Sequence, residues 1–153
     1  MKIAIGSDHG GFALKRGLID ALDDGRYEII DEGVFDEKSS DYPDTAQIVA
    51  SRVVEGDADF GILICTTGIG MSIAANKVAG ARAALACDVA RAEMARRHND
   101  ANILCLGAAY TTVETAGKAA RIFLSTEFEG DKAGGERHKR RVQKIMSIER
   151  KRS

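Results

Sequence analysis

Apolar residues follow two alternating patterns along this chain. Short continuous runs of about five residues are typical of strands buried on both faces of a parallel sheet. Between them, apolar residues recur every three or four positions, which is typical of amphipathic helices. The predicted strands cover residues 2–6, 27–31, 60–65, 82–87 and 102–106. Strand and helix therefore alternate five times.

Each helical segment also carries boundary signals. Gly25 is expected to end the first helix, residues 12–24, and Pro43 suits the first turn of the second. Asp88 is a predicted N-cap for a helix over 89–97, and Thr111 with Glu114 has capping-box spacing for a helix to about residue 124. The apolar stripes of the first, second and last helices are Leu14, Leu18 and Leu22; Ala46, Val49, Ala50 and Val53; and Val142, Ile145 and Met146.

This alternation predicts an α/β fold, a three-layer α/β/α sandwich with a five-stranded parallel sheet, Rossmann-like, plus a basic C-terminal helix. We expect one domain, in which residues 1–135 form the α/β body and residues 136–153 the basic helix. In such folds ligands bind at the carboxyl ends of the strands. Asp8, His9 and Cys65 follow predicted strands at that edge, whereas His98 and Asn99 end a helix, so this rule does not place them there.

Composition narrows the class of protein. With 153 residues, 44% of them hydrophobic, and a net charge of -1, the chain resembles an ordinary globular domain. It has no apolar run near the roughly 18 residues of a membrane helix, so we expect a cytoplasmic protein without membrane contact. Three widely spaced cysteines fit neither a disulfide framework nor a zinc motif. Of these, Cys87 and Cys105 are expected to be buried small hydrophobes.

Charge is concentrated at the C-terminus. Residues 136–153 contain eight Lys or Arg against two Glu, whereas the rest of the chain has 14 basic and 21 acidic residues. The segment has no aromatic residue on which a base could stack, so nucleic acid is not an expected partner. A small molecule that carries phosphate, or an acidic protein surface, fits the segment better.

The stretch 60–77 is the strongest candidate for chemistry. A buried strand ends on Cys65, Gly68 and Gly70 permit a tight turn, and a helix with small residues follows. The first N–H groups of a helix lack internal partners and attract anions, and the same positive end favours a cysteine thiolate. We expect Cys65 to be reactive and the loop after it to hold a negatively charged species.

Three familiar anion-binding motifs do not match this loop. A phosphatase loop needs an arginine six residues after Cys65, where this chain has Met71. A Walker loop needs Gly-Lys-Ser/Thr, and Gly70 is followed by Met71 and Ser72. The dinucleotide fingerprint needs a third glycine, which is also missing. A cysteine beside a cradle of amides remains.

From residue 1 to about 150 the chain resembles the type B ribose-5-phosphate isomerases, which share a fold with galactose-6-phosphate and allose-6-phosphate isomerases. The resemblance rests on five motifs whose combination is highly specific. They are Gly-Ser-Asp8-His9-Gly-Gly, Asp41-Tyr42-Pro43, Ile-Cys65-Thr66-Thr67-Gly68-Ile69-Gly70-Met-Ser72-Ile-Ala-Ala-Asn-Lys, His98-Asn99-Asp, and Arg137-His138 with Arg141.

The resemblance implies metal-free, cofactor-free interconversion of ribose 5-phosphate and ribulose 5-phosphate through an enediolate. It also implies a homodimer or dimer of dimers whose active sites are shared between subunits. The implied catalytic residues are Cys65, His98, Thr67 and Asp8. The implied substrate-binding residues are Asp8, His9, Tyr42, Thr66, Thr67, Gly68, Ile69, Gly70, Ser72, Asn99, Arg137, His138 and Arg141.

The chemistry of the residues agrees with these roles. A Cys65 thiolate could move a proton between C2 and C1, and backbone N–H groups across 67–72 could stabilise the enediolate oxygen. The pair Arg137 and Arg141, four residues apart on a helix, suits a phosphate group. Taken singly, each feature has a plainer interpretation: a capped turn at Asp8 and His9, a helix-end histidine, and an exposed basic face.

Two positions depart from the family pattern. Thr66 replaces a residue that is usually glycine, and Ala109 replaces an arginine that would bind phosphate. Lys139 or Arg140 could supply the missing cation. The sequence leaves open an isomerase of allose 6-phosphate, galactose 6-phosphate or a tetrose phosphate, and a non-catalytic sugar-phosphate-binding protein. It also leaves open a metal-dependent hydrolase with His9, His98, His138, Asp8 and Cys65 as ligands.

Overall fold

The computed structural model describes residues 1–149. The five strands are β1 (Lys2–Ser7), β2 (Glu28–Asp31), β3 (Phe60–Cys65), β4 (Ala83–Leu85) and β5 (Ile103–Gly107). All four neighbouring pairs are parallel, and the order across the sheet is β2-β1-β3-β5-β4. The predicted five-stranded parallel sheet is confirmed, although β4 is only three residues long.

Six α-helices connect and follow these strands. They are α1 (Phe12–Leu22), α2 (Tyr42–Glu55), α3 (Ile69–Ala75), α4 (Val89–Asn99), α5 (Val113–Ser125) and α6 (Glu136–Glu149). Asp88 caps α4 as predicted, because its side chain accepts the N–H of Arg91. The cap of α5 is Thr112 rather than Thr111, since the Thr112 hydroxyl accepts the N–H of Thr115 at 3.2 Å. The predicted basic helix forms over 136–149, and residues 150–153 of that prediction lie outside the described residues.

Helices cover both faces of the sheet, which confirms the three-layer sandwich. One face packs against α1, α4 and α5 through a core that includes Ile5, Leu18 and Phe123. The other packs against α2 and α3 through a smaller core that includes Val49 and Met71. The predicted stripe of α2 is wholly buried. Alternate residues of β1 point to opposite faces, so the strand is apolar throughout.

The strand order reverses between β1 and β3. The chain passes from β1 to β2 on one side, then crosses to β3 on the other side of β1. In open parallel sheets a crevice opens outside the carboxyl ends of strands at such a switch point. Ser7 and Ile64 are paired at these two ends, so the residues that follow them face the crevice. No helix within residues 1–149 is long and apolar enough to span a membrane.

Candidate active site

Asp8 and Cys65 meet at the carboxyl ends of β1 and β3. The backbone N–H of Asp8 donates to the carbonyl of Ile64 at 3.2 Å, which ties the two strand ends together. The carboxylate of Asp8 accepts the N–H of Gly11 at 3.0 Å. Asp8 is buried, with 6% of its surface exposed, and Cys65 has 5% exposed. The structure therefore brings together the two predicted catalytic groups that follow these strands.

The thiol of Cys65 is oriented by the loop that follows it. Sγ accepts the N–H of Gly68 at 3.1 Å, which fixes the position of the sulfur. Gly68 has φ +77, and a Cβ there would lie 2.9 Å from a backbone atom of Leu106. Only glycine combines that backbone conformation with such close contact. The loop is also fixed to the end of β5, since Ala108 N–H donates to Cys65 O at 2.9 Å.

Some backbone N–H groups after Cys65 donate hydrogen bonds within the loop, and others have no acceptor in the described part of the chain. Ile69 N–H donates to the Thr67 hydroxyl at 3.3 Å, and Ser72 N–H donates to the Gly68 carbonyl at 3.1 Å. The N–H groups of Gly70 and Met71 have no acceptor in the described part of the chain. The predicted amide cradle across 67–72 is thus narrowed to a few N–H groups, and Ser72 is committed to the loop itself.

An open cavity of about 440 Å³ lies over Cys65. Tyr42 covers one side, and its ring packs so closely on Gly70 that a Cβ there would lie 2.6 Å from it. Thr66 packs beside Gly10 on the loop that follows Asp8. The cavity is lined by Asp8, Tyr42, Cys65, Thr66, Thr67, Ile69, Gly70 and Ile73. Six of these lining residues, together with Cys65 itself, belong to the predicted site.

His9 follows Asp8, which lines this cavity, and is held by the loop before α2. The N–H of Ser40 donates to Nδ1 of His9 at 3.2 Å, and the N–H of His9 donates to the Ser40 hydroxyl at 3.2 Å. This pair of bonds joins the loop after β1 to the segment that leads to Tyr42. Sequence analysis gave no reason to single out Ser40.

A second cluster forms where α4 and α6 meet. The imidazole rings of His98 and His138 are stacked, with centroids 4.3 Å apart and planes 8° from parallel. Oε2 of Glu129 lies 3.5 Å from Nε2 of His98 and 3.9 Å from Nε2 of His138. Arg97 binds the same carboxylate and holds the pKa of Glu129 below its ordinary value.

His138 is enclosed and surrounded by cations. It has 5% of its surface exposed, and Arg137 Nε donates to its Nε2 at 3.2 Å. Burial lowers the pKa of His138, and the nearby charges of His98, Arg137 and Arg141 lower it further, while Glu129 opposes them. An adjacent cavity of about 290 Å³ is lined by Glu129, Lys132, Ala133, Gly134, Gly135, Arg137 and His138.

The two clusters belong to opposite edges of the sheet. Helix α4 ends at Asn99, shortly before β5 begins at Ile103. Because parallel strands all begin at one edge, His98 and Asn99 lie at the amino edge, while Cys65 ends its strand at the carboxyl edge. The structure groups Arg137, His138 and Arg141 with His98. A single chain therefore carries the predicted site in two separate parts.

This division also bears on metal binding. His98, Glu129 and His138 place three potential ligand atoms within 4.8 Å of one another. Nε2 of His138, however, already accepts a hydrogen bond from Arg137, and Arg97 holds Glu129. The five-ligand set of the hydrolase hypothesis does not form within one chain, because Asp8, His9 and Cys65 lie at the other edge.

The other two cysteines have different environments. Cys105 is fully buried, and burial raises the pKa of its thiol, with the nearby Cys65 adding to the effect. It is the inert packing residue that was predicted. Cys87 is exposed, which corrects the prediction that it is buried. The reason is that β4 ends at Leu85, so Cys87 lies in the turn that precedes α4.

Glu129, Arg97 and Lys132 are further functional candidates that the sequence did not reveal. Arg97 and Glu129 are 32 positions apart, and neither lies in a recognisable motif. The one sequence signal is adjacency: Arg97 precedes His98, so an ion pair of Arg97 also positions the histidine. Lys139, one of the two expected substitutes for the missing arginine, pairs with Asp131 at 3.0 Å and does not line the cavity beside His138.

Comparison with known proteins agrees with this geometry. The model of the Ribose/Galactose Isomerase family matches residues 3–145. A putative sugar phosphate isomerase of Bacillus subtilis is 47% identical over 152 residues, and ribose-5-phosphate isomerase B of Escherichia coli is 41% identical over 152 residues. Both alignments cover 99% of this chain and 99% of the relative.

Solved structures give the same result. Ribose-5-phosphate isomerase B of Clostridium thermocellum is 49% identical, with a TM-score of 0.94 and coverage of 100% of both chains. The Mycoplasma genitalium enzyme with bound ribulose-5-phosphate is 40% identical, with a TM-score of 0.88, and the match covers 97% of this chain and 96% of that one. The chain belongs to the Ribose/Galactose Isomerase family.

Proposed function

We propose that this protein interconverts ribose 5-phosphate and ribulose 5-phosphate, with Cys65 as the base. The observation that carries the proposal is the Cys65 thiol, held by the Gly68 N–H at 3.1 Å in a cavity at the sheet's switch point. Relatives of the same family at 40–41% identity are named ribose-5-phosphate isomerase B, and one of them binds ribulose-5-phosphate.

The chemical step is a proton transfer between neighbouring carbons. The thiolate of Cys65 takes the proton from C2 of the open-chain aldose, and the electron pair moves to form an enediolate. The resulting thiol returns the proton to C1 while the hydroxyl proton on O2 passes to O1, which gives the ketose and regenerates the thiolate. The open N–H groups of Gly70 and Met71 are suited to stabilise the negative oxygen, and one such donor is typically worth about 3 kcal/mol.

The remaining groups come from a second copy of the chain. His98 would open the sugar ring by acid–base transfer, and Asn99 and Asp8 would bind sugar hydroxyls. His98 lies at the amino edge and Cys65 at the carboxyl edge, so one protomer cannot apply both to one small sugar. A homodimer, or a dimer of dimers, that joins unlike edges would complete each site and bring Arg137 and Arg141 to the phosphate.

Lys132 is the best candidate to replace the cation missing at Ala109. It lines the cavity beside Arg137 and His138. Its partner is Glu127 at 2.8 Å, and both side chains are more than half exposed, at 58% and 77%. Such surface pairs are worth about 0–1 kcal/mol, so Lys132 can exchange Glu127 for a phosphate group at low cost.

A panel of aldose phosphates tests the function. Purified protein is assayed for isomerisation of ribose 5-phosphate, allose 6-phosphate, galactose 6-phosphate and erythrose 4-phosphate, together with exchange of solvent protons at C1 and C2. Ribose 5-phosphate is expected to give the highest kcat/KM. Activity on only a hexose phosphate or a tetrose phosphate would show that ribose 5-phosphate is not the substrate. Binding without turnover or proton exchange would instead identify a sugar-phosphate-binding protein.

The variant Ala109→Arg extends this panel. Ala109 is exposed, and its N–H donates to the Thr66 carbonyl at 3.0 Å, so a longer side chain can be accommodated beside the site. An added arginine is expected to lower KM for the true substrate. Tyr110→Arg is the matched control, because Tyr110 is the neighbouring residue and is 77% exposed. Equal changes in both variants would mean that charge alone, and not position 109, is responsible.

A further inference from the structure

The bonds between His9 and Ser40 define the chemistry that His9 can perform. A neutral imidazole has one nitrogen that donates and one that accepts. Since Nδ1 accepts the N–H of Ser40 at 3.2 Å, the proton of the neutral ring is on Nε2. Within residues 1–149, Nε2 has no hydrogen-bond partner. The ring therefore presents one free N–H donor.

We propose that Ser40 is a positioning residue for His9, whose backbone N–H fixes the ring so that Nε2–H is presented to the substrate phosphate. The proposal rests on the function proposed above, in which His9 contacts phosphate. A phosphate dianion accepts hydrogen bonds and does not donate them, so it requires the tautomer with hydrogen on Nε2. The bond to Ser40 selects that tautomer before the substrate arrives.

The bond in the opposite direction makes this arrangement rigid. The hydroxyl of Ser40 accepts the backbone N–H of His9 at 3.2 Å. Ser40 is therefore bonded both to the backbone and to the imidazole ring of His9. A single bond would leave the ring free to rotate about it. Two bonds between the same pair of residues fix both the position of Ser40 and the plane of the imidazole, which reduces the entropy lost on binding phosphate.

The loop that carries Ser40 is anchored at its start to the last residue of β1 and at its end to the loop that follows β1. At its start, Ser7 N–H donates to Gly33 O at 2.7 Å, and Val34 N–H donates to Ser7 O at 2.9 Å. At its end, Ser40 pairs with His9, only two residues before Tyr42, which covers the cavity over Cys65. One segment thus sets His9 and Tyr42 relative to each other.

Nitrogen-15 NMR tests the tautomer directly. In the wild-type protein at about pH 8, where imidazole is ordinarily neutral, long-range proton–nitrogen spectra are expected to show His9 with bare Nδ1 and protonated Nε2. Addition of inorganic phosphate is expected to shift the Nε2–H signal. A protonated Nδ1 in the wild-type protein would overturn the proposal, and this result needs no variant to fold and no enzymatic activity.

Kinetics test whether Ser40 acts through His9. Ser40→Pro removes the N–H that reaches Nδ1, whereas Ser40→Ala keeps it. Ser40→Pro is expected to raise KM for ribose 5-phosphate about threefold to tenfold, the value of one modest hydrogen bond, with kcat changed less than about twofold. Ser40→Ala is expected to raise KM less. Ser39→Pro is the matched control, since it adds a proline in the same loop and leaves Ser40 intact.

A double-mutant cycle with His9→Ala gives the decisive comparison. If Ser40 works through His9, Ser40→Pro adds no further rise in KM once His9 is alanine. The proposal is overturned if Ser40→Pro and Ser39→Pro raise KM equally, or if the effect of Ser40→Pro persists without His9. A wild-type protein that does not isomerise any sugar phosphate would reject the proposed function instead, and the NMR result would still decide the role of Ser40.

Discussion

The imidazole of His98 lies face to face with that of His138, and both reach the same carboxylate of Glu129. Glu129 can compensate one positive charge, but Arg97 already uses it. A proton added to His138 therefore meets cations on several sides. Burial and these neighbouring charges keep the pKa of His138 below its ordinary value.

The stability of the protein is expected to fall as pH falls below about 6.5, the ordinary pKa of histidine. The pKa of His138 is lowered in the folded state, so the unfolded chain binds its proton more readily. Stability is then fully present at higher pH and is lost as pH falls through the histidine range. His138→Asn should reduce this loss, measured by denaturant midpoints between about pH 8 and pH 5.5.

Gln143→Asn is the control for that measurement. Gln143 is exposed on the same helix as His138 and does not titrate, so the stability of this variant should have the same pH dependence as that of the wild type. If His138→Asn also leaves the pH dependence unchanged, the environment of His138 is not the cause.

Cys65→Ala is expected to lower kcat at least about a hundredfold, the typical contribution of a positioned general base. Proton exchange at C2 should be lost with it, as measured by deuterium uptake from heavy water. Cys87→Ala provides the comparison, because Cys87 is exposed in a turn away from the cavity and should retain full activity. Normal turnover by Cys65→Ala would exclude the thiolate as base.

Subunit complementation is expected from the placement of the two clusters. Cys65→Ala and His98→Ala should each be nearly inactive alone, because both sites of each homodimer lack the substituted side chain. After unfolding and refolding together in equal amounts, about one quarter of the sites should be intact, since half of the random dimers keep one complete site. The assay is isomerase activity before and after mixing. No recovery in dimers verified by mass spectrometry would place both residues in one chain's site.

Lys132→Gln is expected to raise KM for ribose 5-phosphate about threefold to tenfold, with less effect on kcat, because a charged hydrogen bond to phosphate is lost. Added salt should reduce the difference between the variant and wild type. Lys139→Gln is the charge-matched control, as Lys139 pairs with Asp131 and does not line the cavity. Equal KM values for the two variants would show that Lys132 does not bind the phosphate.

Asp31→Asn is expected to destabilise the protein by about 3 kcal/mol, because it leaves the fully buried ammonium of Lys15 without its counter-ion. Chemical denaturation measures the loss. Asp36→Asn offers a matched comparison, since Asp36 pairs with Lys38 at the surface, where the two side chains are 56% and 89% exposed. That variant should lie within about 0.5 kcal/mol of wild type. Similar losses for both would mean that burial of Lys15 is not decisive.

Sequence patterns predicted most of the fold, because its signals are local. Continuous apolar runs marked β1 and β3, and four-residue spacing marked the helix that contains Leu18. Strand β4 was predicted over 82–87 but covers only Ala83–Leu85. Its alanines suit strand and helix alike, and the length of the strand is set by its pairing with β5. The cap at Thr112 was displaced by one residue because two adjacent threonines offer the same signal.

The site was predictable only where motif and strand end coincide. Cys65 ends a strand and precedes a glycine turn, so its position at the carboxyl edge could be predicted. The contact of His98 with Glu129 spans 31 positions and depends on how the segment between α5 and α6 packs on α4, which no local pattern encodes. A backbone N–H is present in every residue type but proline, so the bond from Ser40 to His9 could not be predicted from the residue type.

The placement of Cys65 and His98 at opposite edges of the sheet would make enzymatic activity depend on dimer formation. Under the proposed shared site, a lone protomer has a base without its ring-opening partner, and turnover then follows the concentration of dimer rather than of chains. On dilution through the dissociation constant, specific activity would fall together with dimer fraction. Under the same proposal, a newly made chain would be inactive until it paired with a second copy.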